Sequence, residues 1–234
     1  MTLSTRNAFI SGASSGIGLA TAQAFTAGGA RVALFARRLN VLKEHAAAIG
    51  EKAFALRGDV RELRSMEIAA DHVKKKWGAP ANVVVVNAGI VRVGEIAALS
   101  AEDWNDVIAT NLTGAFNTAR AFLPQLLEGP SDLVFIASTA SYDTWPTWGA
   151  YCASKWGTLG LARSIAHEVR KRGVRVTIIA PGAVDTEIWP GGNKPPAEKM
   201  LKPADVAAAI VAAVSADRRA CYDEVRVMPA EGLL

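Results

Sequence analysis

Short apolar runs rich in β-branched residues alternate along this chain with longer amphipathic segments, and no other feature restricts the fold as much. The run Val83–Val86 contains only valine. A strand that is apolar at every position is buried on both faces, as happens in a parallel sheet covered by helices. The repeated strand–helix pairs therefore predict a Rossmann-like, doubly wound α/β fold with about seven parallel strands and helices on both faces.

The alternation continues along the whole chain and predicts a single domain over residues 1–234. The predicted strands are Ala8–Ile10, Arg31–Phe35, Ala53–Leu56, Val83–Val86, Leu133–Ala137, Val174–Ile179 and Glu224–Met228. The predicted helices are Gly18–Ala27, Leu39–Ile49, Glu62–Trp77, Ala101–Leu127, Tyr151–Lys171 and Ala204–Ser215. The Gly- and Pro-rich interval Pro190–Pro196 lies too near the end of the chain to divide domains and predicts a mobile loop.

The composition argues against a membrane protein. Half of the residues are apolar, but no apolar run approaches the roughly 20 residues that a membrane-spanning helix needs. The N-terminal segment does not have the long apolar stretch of a secretory signal. The only two cysteines, Cys152 and Cys221, do not form a Cys-x-x-Cys pair, which suits a reducing compartment. We therefore expect a cytoplasmic protein without membrane contact.

The charged residues give no sign of a nucleic-acid or metal site. The formal net charge is +4, and the basic residues are dispersed along the chain. A nucleic-acid-binding protein usually has a longer basic stripe with interleaved aromatic residues. His45, His72 and His167 are scattered without metal-ligand spacing. We expect no nucleic-acid partner and no metal.

Three glycines lie in the segment Ser11–Gly18 (SGASSGIG), which follows the first predicted strand and opens the first predicted helix. Gly12, Gly16 and Gly18 would let the backbone turn tightly and approach a pyrophosphate at the positive end of the helix. Their spacing, G-x-x-x-G-x-G, differs from the G-x-G-x-x-G fingerprint, and no Lys-Ser/Thr follows to make a triphosphate loop. The segment predicts a dinucleotide-binding turn; the alternative is a glycine-rich turn without a ligand.

Tyr151 and Lys155 lie four residues apart in the segment YCASK. On a helix, this spacing rotates the side chains by about 400° and advances them by about 6 Å, so both face one side. A free tyrosine has a pKa of about 10 and is a poor base near neutral pH. One ammonium at about 4–5 Å, with an effective dielectric near 20, would supply the roughly 4 kcal/mol that lowers this pKa by about three units. The pair predicts a tyrosine whose pKa is lowered by Lys155.

The order of the motifs resembles the short-chain dehydrogenase/reductase family, whose cofactor loop is T-G-x-x-x-G-x-G. The resemblance covers nearly the whole chain. In family order its landmarks are the loop Ser11–Gly18, Asp59-Val60, the VNAG segment Val86–Gly89, Asn111, Ser138, the pair Tyr151 and Lys155, and the PGAVDT segment Pro181–Thr186. Ser11 replaces the family's threonine but keeps a hydroxyl that could tie the loop to a neighbouring backbone. Val86 replaces the first asparagine of N-N-A-G and removes a side-chain amide.

The resemblance implies a role for each residue of a catalytic set formed by Asn111, Ser138, Tyr151 and Lys155. Tyr151 would be the general acid that protonates a carbonyl oxygen, or the base in the reverse reaction. Ser138 would hydrogen-bond the same oxygen, and Lys155 would also hold the nicotinamide ribose. Asn111 would anchor a water that passes protons to Lys155. Considered singly, Ser138 could instead cap a strand end, and Asn111 could serve a helix kink or a backbone bond.

The residues after the second predicted strand favour NADP(H) over NAD(H). Ala36 occupies the position of the usual acidic residue that binds the ribose hydroxyl, and Arg37 and Arg38 follow. Two guanidiniums can hold a phosphate, although both could also be solvated residues at the start of a helix. The residues expected to bind the dinucleotide are Ser11, Gly12, Ser14, Ser15, Gly16, Ile17, Gly18, Arg37, Arg38, Asp59, Val60, Asn87, Ala88, Gly89, Tyr151, Lys155, Pro181, Gly182, Val184 and Thr186.

Residues 187–202 resemble the family's variable substrate loop, and their glycines and prolines suit a lid that orders on binding. Three tryptophans, an apolar residue and a candidate anion contact lie near the expected pocket in sequence: Trp145, Trp148, Trp189, Val91 and Arg92. The tryptophans could equally pack in the core or at a subunit interface. The sequence does not identify the substrate.

The function predicted from the sequence is NADP(H)-dependent reduction of a ketone or 3-oxoacyl compound to a secondary alcohol. Two alternatives stay open: an NAD-dependent secondary-alcohol dehydrogenase, and a protein that senses the dinucleotide without catalysis. The resemblance also implies a homodimer or homotetramer assembled through the helical patterns Ala101–Leu127 and Tyr151–Lys171. The expected partners are then a small carbonyl or alcohol substrate and a second copy of the chain.

Overall fold

The structure, a computed structural model, describes residues 3–190 and 194–232. The strands that it describes form one seven-stranded sheet in the order β3-β2-β1-β4-β5-β6-β7, with every neighbouring pair parallel. They are β1 (Asn7–Ser11), β2 (Arg31–Ala36), β3 (Ala53–Arg57), β4 (Val83–Val86), β5 (Ser131–Ile136), β6 (Val174–Pro181) and β7 (Glu224–Val227). All of the predicted strands are present, with ends within two residues of the predicted ones.

Helices connect the strands throughout the described ranges. The α-helices are α1 (Gly16–Ala27), α2 (Leu39–Ile49), α3 (Leu63–Trp77), α4 (Ala101–Ile108), α5 (Gly114–Leu126), α6 (Gly149–Val169) and α7 (Pro203–Ser215). Short 3₁₀ turns lie at Thr139–Ser141, Arg170–Arg172 and Ala197–Lys199. A π-helical turn, Ala109–Thr113, separates α4 from α5.

Two apolar cores lie on opposite faces of the sheet. Successive residues of a strand point to opposite faces, so Phe9 packs in one core while its neighbours Ala8 and Ile10 pack in the other. The first core is closed by α3, α5 and α6, and the second by α1, α2 and α7. Burial on both faces explains the continuous valines of β4. The predicted doubly wound fold is confirmed.

One predicted helix is divided in the structure, and others differ from it only at their ends. The segment Ala101–Leu127 is not a single helix, because the π-turn interrupts it around Asn111. The side chain of Asn111 bonds across to the backbone of Ile90, and the wider turn places it there. The first helix begins at Gly16 rather than Gly18, so the last part of the glycine loop forms its first turn.

Membrane-spanning helices and metal-binding clusters are both absent from the described residues. Within residues 3–190 and 194–232, no helix is long and apolar enough to cross a membrane. In the same ranges, no group of three or more His, Cys, Asp or Glu residues is arranged to hold a metal ion.

Candidate active site

A cavity of about 760 Å³ opens at the carboxyl ends of the strands. It lies where the strand order reverses between β1 and β4, which is where open parallel sheets bind ligands. Most of the predicted site residues line it: Gly12, Ser14, Ser15, Gly16, Ile17, Arg37, Arg38, Asp59, Val60, Asn87, Ala88, Gly89, Ser138, Tyr151, Lys155, Pro181, Gly182, Val184 and Thr186. Ser11, Gly18 and Asn111 do not line the cavity; they contact residues that do.

Further residues line the cavity without belonging to a recognised motif. They are Phe35, Gly58, Ile90, Thr110, Ala137, Thr139 and Ala140. Most of them end a strand or follow one closely, at the ends of β2, β3, β4 and β5. The carboxyl ends of parallel strands meet at one edge of the sheet. A place at or just after the end of a predicted strand was therefore the sequence feature that could have identified these lining residues.

The backbone at Gly12 and Gly18 packs so closely against its neighbours that a side chain would not fit at either position. Gly12 has φ +67°, and a Cβ there would lie 2.8 Å from Cα of Ala88. A Cβ at Gly18 would lie 2.5 Å from the carbonyl oxygen of Gly12. At the start of α1, Ser15 provides no side-chain cap, and the first turn contains no acidic residue. The positive end of the helix thus faces the cavity without a compensating charge from its own first turn.

Ser11 joins the glycine loop to the end of β4. Its hydroxyl donates to the carbonyl of Val85 at 3.3 Å and accepts from the backbone N–H groups of Asn87 and Ala88 at 3.0 and 3.2 Å. The Asn87 amide donates back to the carbonyls of Ser11 and Gly12 at 2.9 and 3.2 Å. The serine hydroxyl therefore makes the predicted tie to the neighbouring backbone. Val86, which replaces the family's first asparagine, is buried in the apolar core and takes no part in this tie.

Tyr151, Lys155 and Ser138 converge on one wall of the cavity. Tyr151 and Lys155 lie one turn apart on α6, and Ser138 follows β5. The Ser138 hydroxyl hydrogen-bonds with Tyr151 and also accepts from the N–H of Ala140 at 3.1 Å, so it caps the following 3₁₀ turn as well. The Lys155 Nζ lies 5.6 Å from the centre of the Tyr151 ring and donates to the carbonyl of Ile136 at 2.9 Å.

The ionisation of this pair differs from the sequence expectation. Loss of water around the hydroxyl raises the pKa of Tyr151 to about 12, and the hydrogen bond with Ser138 offsets only part of this rise. Burial lowers the pKa of Lys155 to about 8. The expected lowering of the Tyr151 pKa by Lys155 is therefore wrong for this structure, because desolvation dominates and the Lys155 ammonium, bonded to the Ile136 carbonyl, is not among the groups that shift this pKa. Tyr151 is a protonated phenol at neutral pH.

Asn111 holds the framework of the site together. Its amide oxygen accepts from the N–H of Ile90 at 2.8 Å, and its amide nitrogen donates to the Ile90 carbonyl and the Ser154 hydroxyl, both at 2.9 Å. The backbone carbonyl of Asn111 accepts from the hydroxyl of Thr158 at 3.2 Å. The sequence allowed two roles for Asn111: anchoring a catalytic water, or bonding the backbone at a helix kink. The side chain makes the second of these contacts in the structure. It joins the π-turn, the end of β4 and α6.

Two arginines and one aspartate border the other end of the cavity. Arg37 and Arg38 are exposed, and Arg38 donates to the Ser14 hydroxyl at 3.1 Å while its Nη2 lies 3.9 Å from Oε2 of Glu187. Burial alone would raise the pKa of Asp59, but hydrogen bonds and attraction from Arg61 hold that pKa below its ordinary value. Ala36 also lines the cavity and offers no acidic group.

The third part of the cavity is aromatic. Trp145, Trp148 and Trp189 all line it. The Trp148 ring contacts Tyr151 edge to face, with centroids 5.6 Å apart and planes at 74°, and contacts Trp189 in the same way at 5.8 Å and 71°. The tryptophans are thus wall residues of this cavity, a point that the sequence left open.

The predicted substrate loop reaches the same wall. Glu187, Ile188 and Pro195 line the cavity together with Trp189, whereas residues 191–193 of the loop lie outside the described part of the chain. Arg92 also lines the cavity, but its Nε lies 3.2 Å from Oδ1 of Asp103. The candidate anion contact is therefore already paired with a carboxylate.

Comparisons with known proteins agree with this geometry. D-threitol dehydrogenase of Mycolicibacterium smegmatis is 35% identical over 218 residues, which cover 87% of this chain and 84% of that protein. The 3-oxoacyl-(acyl-carrier-protein) reductase of Salmonella typhimurium is 30% identical over 189 residues, 80% of this chain and 77% of that one. The solved structure of an alcohol dehydrogenase from Thermococcus sibiricus, complexed with 5-hydroxy-NADP, superposes with a TM-score of 0.89 at 32% identity and covers 96% of this chain and 97% of that one.

The family model described as short chain dehydrogenase matches residues 6–196, which include the glycine loop and both members of the Tyr151–Lys155 pair. Enzymes of this family are oxidoreductases that use a nicotinamide dinucleotide. The family match, the relatives and the seven-stranded parallel sheet agree, and the chain belongs to the short-chain dehydrogenase/reductase family.

Proposed function

We propose that this protein reduces the carbonyl group of a small ketone or 3-oxoacyl compound to a secondary alcohol, with NADPH as the hydride donor. One observation carries the proposal: Tyr151, Ser138 and Lys155 share the wall of a single cavity with the glycine loop. A dinucleotide sensor without catalysis would have no need of a phenol, a serine hydroxyl and a lysine grouped beside its ligand. The protein is, on this proposal, a working oxidoreductase of its family.

The residues present fit a dinucleotide. At Gly12 and Gly18 the loop Ser11–Gly18 leaves no space for a side chain, which is typical of a backbone that approaches a pyrophosphate closely. The first turn of α1 supplies N–H groups and the positive end of the helix dipole. When bound, the dinucleotide supplies the hydride. Beyond the glycine loop, Asp59, Val60, Asn87–Gly89 and Pro181–Thr186 would hold its other parts.

Tyr151 is proposed to protonate the substrate oxygen. A phenol with a pKa of about 12 is protonated at pH 7. It can still donate its proton to a developing alkoxide, which is a stronger base than a phenolate. The raised pKa therefore suits the reduction direction better than the oxidation direction, in which a base is needed.

Ser138 and Lys155 are proposed to assist Tyr151 from two sides. The Ser138 hydroxyl, held by the N–H of Ala140, would hydrogen-bond the substrate oxygen and set its direction. The buried ammonium of Lys155 lies 5.6 Å from the centre of the Tyr151 ring, where it would stabilise the phenolate that remains after proton donation. Asn111 is a positioning residue. Its amide donates to the Ser154 hydroxyl, which in turn donates to the Tyr151 carbonyl and so holds the segment that carries Tyr151.

The proposed mechanism is tested by Tyr151→Phe, which removes only the hydroxyl. NADPH binding, followed by energy transfer from the tryptophans, should be retained, while turnover falls at least about a hundredfold, the usual contribution of positioned acid–base catalysis. Tyr142→Phe is the matched control, because the Tyr142 hydroxyl bonds Glu224 away from the cavity. Near-normal turnover in Tyr151→Phe would exclude the proposed role.

The preference for NADPH rests on Arg37 and Arg38, with Ala36 in the position of an acidic residue. The second candidate is an NAD-dependent secondary-alcohol dehydrogenase, which is favoured by the nearness of Glu187 to Arg38 and by the name of the relative D-threitol dehydrogenase. An acidic group at this rim would repel a ribose phosphate.

Replacing both Arg37 and Arg38 with Ala should separate the two candidates. Hydrogen bonds to charged groups contribute about 1.5–3 kcal/mol each, so NADPH affinity should fall at least about tenfold while NADH affinity changes little. Arg64→Ala, which removes an exposed arginine paired with Glu67, controls for the loss of charge. Equal changes for both dinucleotides would favour the NAD-dependent enzyme.

A homodimer or homotetramer in the cytoplasm completes the proposal. Phe116 on α5 and Trp156 on α6 are 42% and 49% exposed, and apolar side chains on these two helices would be covered by helix packing between subunits. Both cysteines are free thiols, as a reducing compartment requires.

A further inference from the structure

We infer that the substrate is an uncharged carbonyl compound with an aromatic ring next to the reacting carbon, bound against the tryptophans beside Tyr151. The inference rests on the function proposed above and adds the class of substrate. It is drawn from three features of the cavity: a row of aromatic rings, a strained turn that carries Trp145 and Trp148, and a lining arginine, Arg92, that is already paired.

The aromatic row begins at the proposed catalytic residue. Tyr151, Trp148 and Trp189 follow one another edge to face, with centroid separations of 5.6 and 5.8 Å. The indole N–H of Trp189 donates to the carbonyl of Val184 at 2.7 Å, which fixes this ring and uses its only donor. A ligand at this wall therefore meets ring edges and faces, which favour another aromatic ring over a saturated one.

The turn that carries Trp145 and Trp148 is held in a strained conformation. Thr147 has φ +68°, and it is the only residue other than glycine with a positive φ in the described ranges 3–190 and 194–232. This conformation is unfavourable for a β-branched residue. It is maintained by a bond from the N–H of Gly94 to the Thr147 carbonyl at 2.8 Å, and by a bond from the N–H of Trp148 to the Trp145 carbonyl at 3.2 Å. Strain that is held in place beside a cavity indicates a functional arrangement, here of two indoles.

The wall beside the tryptophans favours an uncharged ligand. The Arg92 guanidinium lies 3.2 Å from Asp103 and 3.9 Å from Asp106, so a substrate carboxylate would compete with two carboxylates of the protein. Glu187, two residues before Trp189, also lines the cavity, but its carboxylate lies 3.9 Å from Arg38 at the dinucleotide end and offers a ligand no positive charge. Arg37 and Arg38 lie beside the glycine loop, where the ribose phosphate is proposed to bind.

The first experiment compares three ketones under the same conditions with NADPH: acetophenone, cyclohexyl methyl ketone and 4-acetylbenzoate. The first two differ only in saturation of the ring, and the third adds a carboxylate. We expect kcat/KM for acetophenone to exceed that for each of the others at least about tenfold, from contacts with two or three rings. Because conjugation makes an aryl ketone intrinsically less reactive, this preference would have to come from the protein.

Variants assign the preference to the row of rings. Trp148→Leu should reduce the ratio between acetophenone and cyclohexyl methyl ketone from at least about tenfold to near one. Trp156→Leu makes the same change on the outer face of α6, where the side chain is 49% exposed, and should leave the ratio unchanged. A wild-type ratio of one or less, or a ratio that Trp148→Leu does not lower, would overturn the inference.

A binding measurement separates this inference from the proposed reaction. In the Tyr151→Phe variant with NADP⁺, which keeps the ring that Trp148 contacts, calorimetry would compare 1-phenylethanol with 1-cyclohexylethanol. Preferential binding of the aryl alcohol supports the substrate class even if wild-type enzyme turns over neither ketone, an outcome that would refute only the proposed reduction. Equal binding of the two alcohols would refute the substrate class. It would not affect the reductase proposal, which is tested by the turnover of wild type and Tyr151→Phe.

Discussion

The burial of Lys155 should make the stability of the protein depend on pH in a way that one substitution removes. Lys155 is 5% exposed, and its ammonium donates to the carbonyl of Ile136 at 2.9 Å. No ion pair with a carboxylate compensates it within residues 3–190 and 194–232, and burial is the cause of its lowered pKa. Lys155→Met keeps the length of the side chain and removes the charge.

The sign follows from proton binding in the two states. The unfolded chain holds the Lys155 proton up to a pH of about 10.5, whereas the folded protein releases it near pH 8. Between these values the unfolded state binds more protons, so the free energy of unfolding rises with pH. The full rise corresponds to about 3 kcal/mol, at about 1.36 kcal/mol per pKa unit. Above pH 10 the raised pKa of Tyr151 acts in the opposite direction, so the clean window is pH 8 to 10.

The assay is urea unfolding of both proteins at several pH values from 7 to 10, with NADPH absent. The stability of wild type relative to Lys155→Met should rise by about 2 kcal/mol or more across this window. Lys43→Met removes an exposed ammonium on α2 and controls for the change in net charge. Parallel stability curves for wild type and Lys155→Met, or a wild type that loses relative stability toward pH 10, would refute the reasoning.

Two further substitutions test an ion-pair cluster at the amino ends of the strands and the glycine loop at their carboxyl ends. Asp132 is 3% exposed and pairs with Arg6, Arg175 and Arg218 at 3.2, 2.7 and 3.2 Å, so Asp132→Asn leaves three cations uncompensated and should cost about 3–5 kcal/mol in denaturant unfolding. Unchanged stability would show that backbone carbonyls alone satisfy these arginines. Gly12→Ala combines φ +67° with a clash at 2.8 Å and should weaken NADPH binding in a fluorescence titration by at least about tenfold while the circular dichroism of the helices persists, since strain of this kind costs about 1–3 kcal/mol. Full affinity would mean that the loop can shift without affecting the ligand.

The fold was predictable because parallel strands are buried on both faces and therefore appear as apolar runs. The bounds of β4 were predicted correctly at both ends, since a run of four valines is apolar on both faces and fits a strand that helices cover on both sides. The split of Ala101–Leu127 was not predictable in the same way. The π-turn depends on bonds between Asn111 and the backbone of Ile90, which lies 21 positions earlier, and hydrophobic periodicity does not report such a contact.

The location of the site was predictable for a related reason. Motifs at the ends of parallel strands converge on one edge of the sheet, so the order of the motifs placed most of the lining residues. The ionisation of Tyr151 was not predictable, because helical spacing gives the separation of two side chains but not the water that they lose. The ammonium also has another partner, the carbonyl of Ile136, which the spacing cannot reveal.

Helix α6 connects the recognition of substrate with the proposed chemistry. Trp148 precedes its first turn, Tyr151 and Lys155 follow on that side, and Ser154 donates to the Tyr151 carbonyl while it accepts from the Asn111 amide. A ligand that packs against Trp148 therefore contacts the same turn that positions the Tyr151 hydroxyl. Because the turn is anchored to the buried amide of Asn111, we expect contact with an aromatic substrate to align its carbonyl with the phenol and not to move the helix.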